Sequence, residues 1–185
     1  MNINYIKNAI GHFKTITRHR HAVIRHCRKA GILWQGLRHD LSKYTPIEFW
    51  QGVKYYSGTH SPNETERENK GYSEAWLHHK GRNRHHFEYW TDYNPIEKKV
   101  RPVKMPVRFV AEMFCDRVAA SKIYQGKNYS ENHPIEYFER GKDRRFIHQE
   151  TSDLIESWLV MLQERGEKET LRHIKSVVRG KVCNK

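Results

Sequence analysis

His39 and Asp40 stand side by side, and further imidazoles and carboxylates lie before and after them. Thirteen histidines occur, at positions 12, 19, 21, 26, 39, 60, 78, 79, 85, 86, 133, 148 and 173, most of them in the first half. Imidazole nitrogens and carboxylate oxygens are the donor set expected for Zn, Mn, Fe, Co or Ni. His79 and His86 are seven residues apart, so on one helix they share a face, with His78 and His85 on a neighbouring one. His19 falls in the middle of a long helical pattern. Asp116 ends the run Glu112-Met113-Phe114-Cys115-Asp116, and an aspartate on a buried helix face is costly unless paired or metal-bound. Plainer readings stand beside these. Isolated histidines such as His12, His60, His133, His148 and His173 are expected at the surface or hydrogen-bonded. Asp116 alone could pair with Arg117 or Arg108. The histidine pairs, with Lys80, Arg82 and Arg84 and the rings of Tyr89, Trp90 and Tyr93, could form an RNA-binding face.

Helices must position these groups. Ile6, Ile10, Phe13, Thr17, Ile24 and Cys27 recur at three- and four-residue steps and predict a helix over 4–30, stopped by Gly31. A short connection and a helical turn carrying His39 and Asp40 fill 32–44. Thr45-Pro46-Ile47-Glu48 reads as a capping box opening a helix from 46 to about 56. Residues 57–71, rich in Gly, Pro, Asn and Glu, read as a loop. A helix is expected from Tyr72 to Trp90, a loop over 91–104, and a helix opened by Met105-Pro106 and running through Val110, Met113, Phe114, Val118 and Ile123. Residues 125–148 are irregular, with a short helix after Pro134. Two helices follow, about 149–164 and 167–179, separated by Gly166. No segment alternates convincingly as a half-buried strand. The expectation is one all-α domain of five to seven helices.

Composition fits one folded domain. The 185 residues are enough for a sizeable core, and five Trp, seven Phe and ten Tyr supply bulky anchors. Thirty-four Lys and Arg against 21 Asp and Glu leave a formal charge of +13, which attracts anions and makes phosphate-bearing ligands or nucleic acid natural candidates, a surface adapted for solubility being the alternative. Cys27, Cys115 and Cys183 are far apart, so neither a zinc ribbon nor a disulfide framework is indicated, and an odd count suits a reducing cytosol. No signal peptide is evident at the N-terminus, and no stretch approaches the roughly 20 apolar residues that span a bilayer. A cytoplasmic protein without a membrane partner is expected. Amphipathic terminal helices pack on the core or form an oligomer interface; their spacing leaves both open.

The segment His39-Asp40-Leu41-Ser42-Lys43 resembles the signature of the HD superfamily of metal-dependent phosphohydrolases. That resemblance implies an all-α fold and an ordered ligand set: an early His, the His-Asp pair, further histidines, and a late Asp. The order is met here by His19, His39-Asp40, His79 with His85-His86, and Asp116. The strings HRHAVIRHCRKAGI, HDLSKYTPIEFW, HHKGRNRHHFEYW and MPVRFVAEMFCDRVAAS also resemble a family of small bacterial and phage proteins with no established activity, over roughly residues 5–125. His19, His39, Asp40, His79, Asn83, His85, His86 and Asp116 fall inside its motifs. His19, His21 and His26 compete for the first position, and the frame of Val23, Cys27 and Gly31 favours His19. His78 competes with His79, and the spacing to His86 favours His79.

The resemblance implies one or two divalent ions (Mn, Fe, Zn, Co, Ni or Mg). His19, His39, Asp40 and Asp116 would hold one; His79, His85 and His86 a second, with Asp40 bridging. The expected reaction is hydrolysis of a phosphomonoester or phosphodiester, possibly a nucleotide, by a metal-activated water. Asp40 and Lys43 are the expected catalytic residues, Lys43 also contacting phosphate. Lys80, Asn83 and Arg84 are further candidates for the substrate, and Asn83 could instead orient a histidine. A nucleic-acid-binding module without catalysis and a di-iron oxygenase are the competing functions.

Overall fold

The computed structural model describes residues 3–180, and Cys183 lies outside them. Eight α-helices and one small hairpin are found among these residues. The all-α class is therefore as expected, with one helix more than the upper expectation.

The spine is α1, Ile3–Lys29. Its buried stripe is His12, Ile16, His19, Ala22, Val23, His26 and Cys27. This corrects the face expected from apolar periodicity, because Ile6, Ile10 and Phe13 are 42%, 51% and 49% exposed. The apolar residues nearest the N-terminus point outward, and imidazoles take the inward positions.

Helix α1 packs against α2 (Leu33–Arg38), α3 (Pro46–Lys54) and α6 (Val107–Gln125), and α6 packs against α8 (Gln149–Val178). The apolar core lies between them. Val23 and Cys27 meet Val110, Phe114 and Val118 of α6 and Ile155, Trp158, Leu159, Leu162 and Ile174 of α8. Phe114 and Trp158 meet edge to face at 6.4 Å, a favoured aromatic arrangement. Gly166, at φ 79° and ψ 165°, breaks α8 into the two halves expected at that glycine.

Four local expectations fail. The polar stretch 57–71 contains α4, Pro62–Lys70, with Pro at its start and Gly71 in the left-handed conformation at its end. The same Pro and Gly were taken as loop markers. The helix expected over 72–90 stops early: α5 is Glu74–Lys80, capped by Ser73, whose Oγ accepts from the Trp76 N–H. His85 and His86 therefore lie in the turns that follow. Residues 91–104 hold the hairpin of β1 (Thr91–Asn94) and β2 (Lys99–Pro102), whose mostly exposed strands show no inward-outward hydrophobic alternation. The capping box at Thr45 does not form; the Thr45 hydroxyl donates to the Ser42 carbonyl, and Glu48 turns inward. Helix α7, His133–Glu139, occupies the place expected for the short helix near Pro134.

At the α8 break, Glu167 accepts from Lys29 Nζ at 2.8 Å and also pairs with Lys122, while His26 Nε2 lies at 3.3 Å. The His26 hydrogen bond, then the two lysines, outweigh burial and hold its carboxyl well below the usual range. A depressed carboxylate contributes stability above the unfolded pKa of ~4.3 and loses it as the pH falls toward the folded value. Glu167→Gln should therefore lower stability at pH 7 by about 1–3 kcal/mol, with the difference from wild type narrowing below pH ~4.3. Thermal unfolding across pH 3–8 reads this; a gap independent of pH would refute it.

Candidate metal centre

The chain turns sharply after α2. His39 is extended at φ −53° and ψ 128°, and Asp40 takes the left-handed conformation at φ 52° and ψ 28° before a 3₁₀ turn, Leu41–Tyr44. Aspartate tolerates that region better than most residues, yet a non-glycine there marks a position the surroundings impose. Arg20 of α1 donates to the carbonyls of Leu37 and His39 and ties this turn to the spine. The Asp40 side chain caps nothing. It points into the protein, 2% exposed, with the Lys43 ammonium and several imidazole nitrogens as its close neighbours.

Four parts of the chain bring groups to it. His19 comes from α1, with Nε2 2.9 Å from Asp116 Oδ1 and 4.0 Å from Asp40 Oδ2. His39 Nε2 lies 3.2 Å from Asp40 Oδ2 and 3.5 Å from Asp116 Oδ1. His79, near the end of α5, places Nε2 3.2 Å from Asp40 Oδ1. His85 Nε2 lies 3.4 Å from the same oxygen. His86 Nε2 lies 2.9 Å from His79 Nε2. All seven expected ligands thus converge. Among the described residues they form two groups whose donor atoms lie within 4.8 Å of one another and could hold a metal ion: His19, His39, Asp40 and Asp116; and Asp40, His79, His85 and His86.

Two carboxylates that the sequence reading did not assign stand one step out. Glu112 Oε1 accepts from His39 Nδ1 at 3.0 Å and lies 3.3 Å from His85 Nδ1, while its Oε2 accepts from Gln35 at 2.9 Å. Glu48 accepts from His78 Nδ1 and His79 Nδ1, each at 2.7 Å. A carboxylate on Nδ1 fixes the proton there and leaves the Nε2 lone pair facing inward. This happens at His39, His79 and His85, and each of the three Nε2 atoms faces Asp40. Glu112 lies four residues before Asp116, on the same side of α6, a spacing that could have revealed it. Glu48 was absorbed into the supposed capping box.

The electrostatics follow from crowding. Burial opposes charge on Asp40, but His39 and Lys43 outweigh it and hold its carboxyl well below the usual range. Burial likewise opposes charge on His39, and Asp40 beside it overcomes that and raises its pKa. His86 moves the other way, through burial and the neighbouring His85 and His79. Glu112 is held at about 2, its hydrogen bonds from His39 and His85 outweighing burial. Lys43 Nζ lies 2.6 Å from Asp40 Oδ2 and is 29% exposed, at the outer edge of the cluster.

The remaining candidates separate. His26 binds Glu167 and the Cys115 carbonyl, His21 is exposed, and His78 belongs to Glu48. Asn83 Nδ2 donates to the His79 carbonyl at 2.8 Å and to Ser42 Oγ at 2.9 Å, so its amide braces the site. Arg84 is exposed and lies over the Tyr89 ring, 5.6 Å from its centroid, and Arg82 donates to the His78 carbonyl at 3.2 Å. Asp116 pairs with His19, His39 and His85 and with no arginine among the described residues. His79 and His85 are each 2% exposed, which removes them from any base-stacking surface.

A family of unknown function (DUF5662) matches residues 8–161, and the chain belongs to it. No curated protein and no solved structure matches the chain.

Glu112→Gln keeps the shape but removes the charge that orients two imidazoles. It should weaken Mn or Zn binding by about 10–100-fold, measured by competition with a chelating dye, with the helical circular dichroism preserved. Unchanged affinity would deny Glu112 this supporting role.

Proposed function

We propose that this member of DUF5662 is a metal-dependent hydrolase of phosphoric esters. The observation that carries the reading is the convergence of buried imidazole nitrogens and carboxylate oxygens. Nε2 of His39 lies 3.2 Å from Asp40 Oδ2, Nε2 of His79 and His85 lie 3.2 and 3.4 Å from Asp40 Oδ1, and Nε2 of His19 lies 2.9 Å from Asp116 Oδ1. Such a cluster can share protons, and a metal cation can take the place of those protons. The donor set, imidazole plus carboxylate, fits a divalent transition ion. His19, His39, Asp40 and Asp116 would hold one ion, and His79, His85 and His86 with Asp40 a second.

A divalent ion in such a site acidifies water and offsets charge on a phosphoryl group. The chain's own residues do the rest. Glu48 and Glu112 keep protons on Nδ1 of His79, His39 and His85, so the inward nitrogens stay basic. Lys43 stands at the outer edge of the cluster as a cation that can bind a non-bridging phosphate oxygen. Asp116 and His86 are each partly exposed. The ordered resemblance to HD phosphohydrolases adds to this reading. The net charge of +13 favours an anionic substrate.

Protein purified without chelators should carry at least one equivalent of metal by elemental analysis, and Asp40→Asn should lose it. With Mn added, wild type should hydrolyse an aryl phosphate or diester, and Lys43→Met should lower kcat/KM about 10–100-fold, the cost of losing a charge-assisted contact of roughly 1.5–3 kcal/mol. A metal-free wild-type protein would sink the reading. Iron-dependent oxygen uptake without ester hydrolysis would reassign the same site to an oxygenase.

A further inference from the structure

The outward face of α1 is not an ordinary solvated helix face. Ile6, Ile10 and Phe13 share it at four- and three-residue steps, and all three are exposed. Neighbouring elements extend it. Phe13 meets the Tyr44 ring edge-on at 6.0 Å, and Tyr44 closes the 3₁₀ turn that begins with the exposed Leu41. Tyr5 stacks on Trp50 at 5.9 Å, and Ile47 precedes Trp50 by three residues on α3. Ile47 and Trp50 are both exposed. On the other flank, Arg20 donates to the Leu37 carbonyl and so holds α2 to α1. There Leu33, Trp34 and Leu37 are exposed, Trp34 by 80%. Of the 18 large apolar side chains exposed among the described residues, nine lie between Ile6 and Trp50. Soluble monomers rarely gather so much apolar surface in one region, and such a patch marks a partner or a membrane.

Charge selects between them. Residues 1–39 hold eight Lys and Arg and no Asp or Glu. Lys7, Lys14, Arg18 and Arg25 follow α1 at helical spacing, roughly a quarter-turn round the axis from the apolar stripe. All four are exposed, and none makes an ion pair among the described residues. The first acid of the chain, Asp40, is buried and turned inward. Apolar and cationic stripes side by side, without acids, complement a bilayer surface that carries anionic headgroups. Aliphatic and indole side chains enter the acyl boundary, and ammonium and guanidinium groups meet the phosphates. A second copy fits less well, because it brings the same unpaired cations and the same formal +13. Nucleic acid would satisfy the cations and stack on the rings, but it leaves the aliphatic Ile6, Ile10, Leu37 and Ile47 without a partner.

We infer that this face, formed by α1, α2, the 3₁₀ turn and the start of α3, docks on an anionic lipid surface. Phe13 and Trp34 enter at the headgroup boundary, and Lys7, Lys14, Arg18 and Arg25 lie against the phosphates. No helix among the described residues is long and apolar enough to cross a membrane, and docking requires none, because the protein lies on the surface. The expectation of no membrane partner came from the lack of a spanning segment and does not reach this mode of binding. Docking is independent of the chemistry at the metal centre.

Sedimentation of the full chain with vesicles of phosphatidylcholine, alone or mixed with phosphatidylglycerol, tests this. The mixed vesicles should bind it, less tightly as salt is raised, and phosphatidylcholine alone should bind it about tenfold more weakly or worse. Trp34→Ala should weaken binding to the mixed vesicles about tenfold, without changing the melting temperature. Lys7→Gln with Lys14→Gln should weaken it by about tenfold or more. Bromine-labelled lipid chains should quench the tryptophan fluorescence of wild type more than that of Trp34→Ala. Failure to bind the mixed vesicles, or binding that neither variant weakens, overturns the assignment. Without vesicle binding, a dimer that Trp34→Ala converts to monomer gives the face to a second copy. Without vesicle binding, RNA binding that is lost with Lys7 and Lys14 gives it to nucleic acid. Either result overturns the lipid assignment.

Discussion

A buried carboxylate ringed by an ammonium and imidazoles is the constraint around which this protein is arranged. Asp40 sits at 2% exposure on a left-handed backbone, between the end of α2 and a 3₁₀ turn. An uncompensated ion in such a place costs several kcal/mol. The surroundings answer with Lys43 at the rim, His39 beside it, and His79 and His85 across from it. The elements that deliver these groups are the spine α1, the α2 turn, the end of α5 with its following turns, and α6. The apolar core between α1, α6 and α8 fixes their relative positions. A shift of α6 against α1 would separate His19 from Asp116 and would move Glu112 away from His39 and His85.

A second ring gives the first its direction. An imidazole can present either nitrogen, and the choice depends on what the other nitrogen meets. Glu112 meets two histidines and Glu48 another two, so two carboxylates set the inward faces of His39, His85 and His79. Gln35 holds Glu112 from behind, and Asn83 holds the His79 turn. A purely structural polar network closes on itself, with donors matched to acceptors. Here the outer carboxylates hold the Nδ1 side of the rings, and the inner atoms are all potential ligands within 4.8 Å of one another, an arrangement that could hold a metal ion.

Much of the site was legible because its residues fall in a recognisable order, although eight of the 13 histidines lie outside it. The seven ligands were reached from motif order, and the geometry reasoning attached to two of them failed. His79 and His86 do meet, but through turns after α5 and not along a shared helix face. Periodicity misassigned the inward face of α1 for a related reason: apolar spacing finds a core made of hydrocarbon, and this face is lined by His12, His19 and His26. The loop markers at Pro62 and Gly71 were helix termini, since proline and glycine punctuate both. The early end of α5 leaves Lys80 as its last residue and places Arg84 in the turns beyond it. Glu48 and Glu112 were missed because a carboxylate one step behind a ligand has no spacing of its own; it follows its histidine in space.

The charge of the whole chain and the charge of the site pull in different directions, and both matter. The surface excess of cations acts over about a Debye length, ~8–10 Å at physiological salt, and concentrates anions near the protein without choosing among them. The site is locally acidic, with Asp40, Asp116, Glu112 and Glu48 gathered within a few residues' reach, and a phosphate alone would be repelled there. Lys43 lies where the two regimes meet. A cation bound among the carboxylates would extend the positive field inward from Lys43, so that an anion drawn by the surface finds a continuous favourable path to Asp40. Metal binding and anion binding at such a site would then be coupled by charge, each favouring the other.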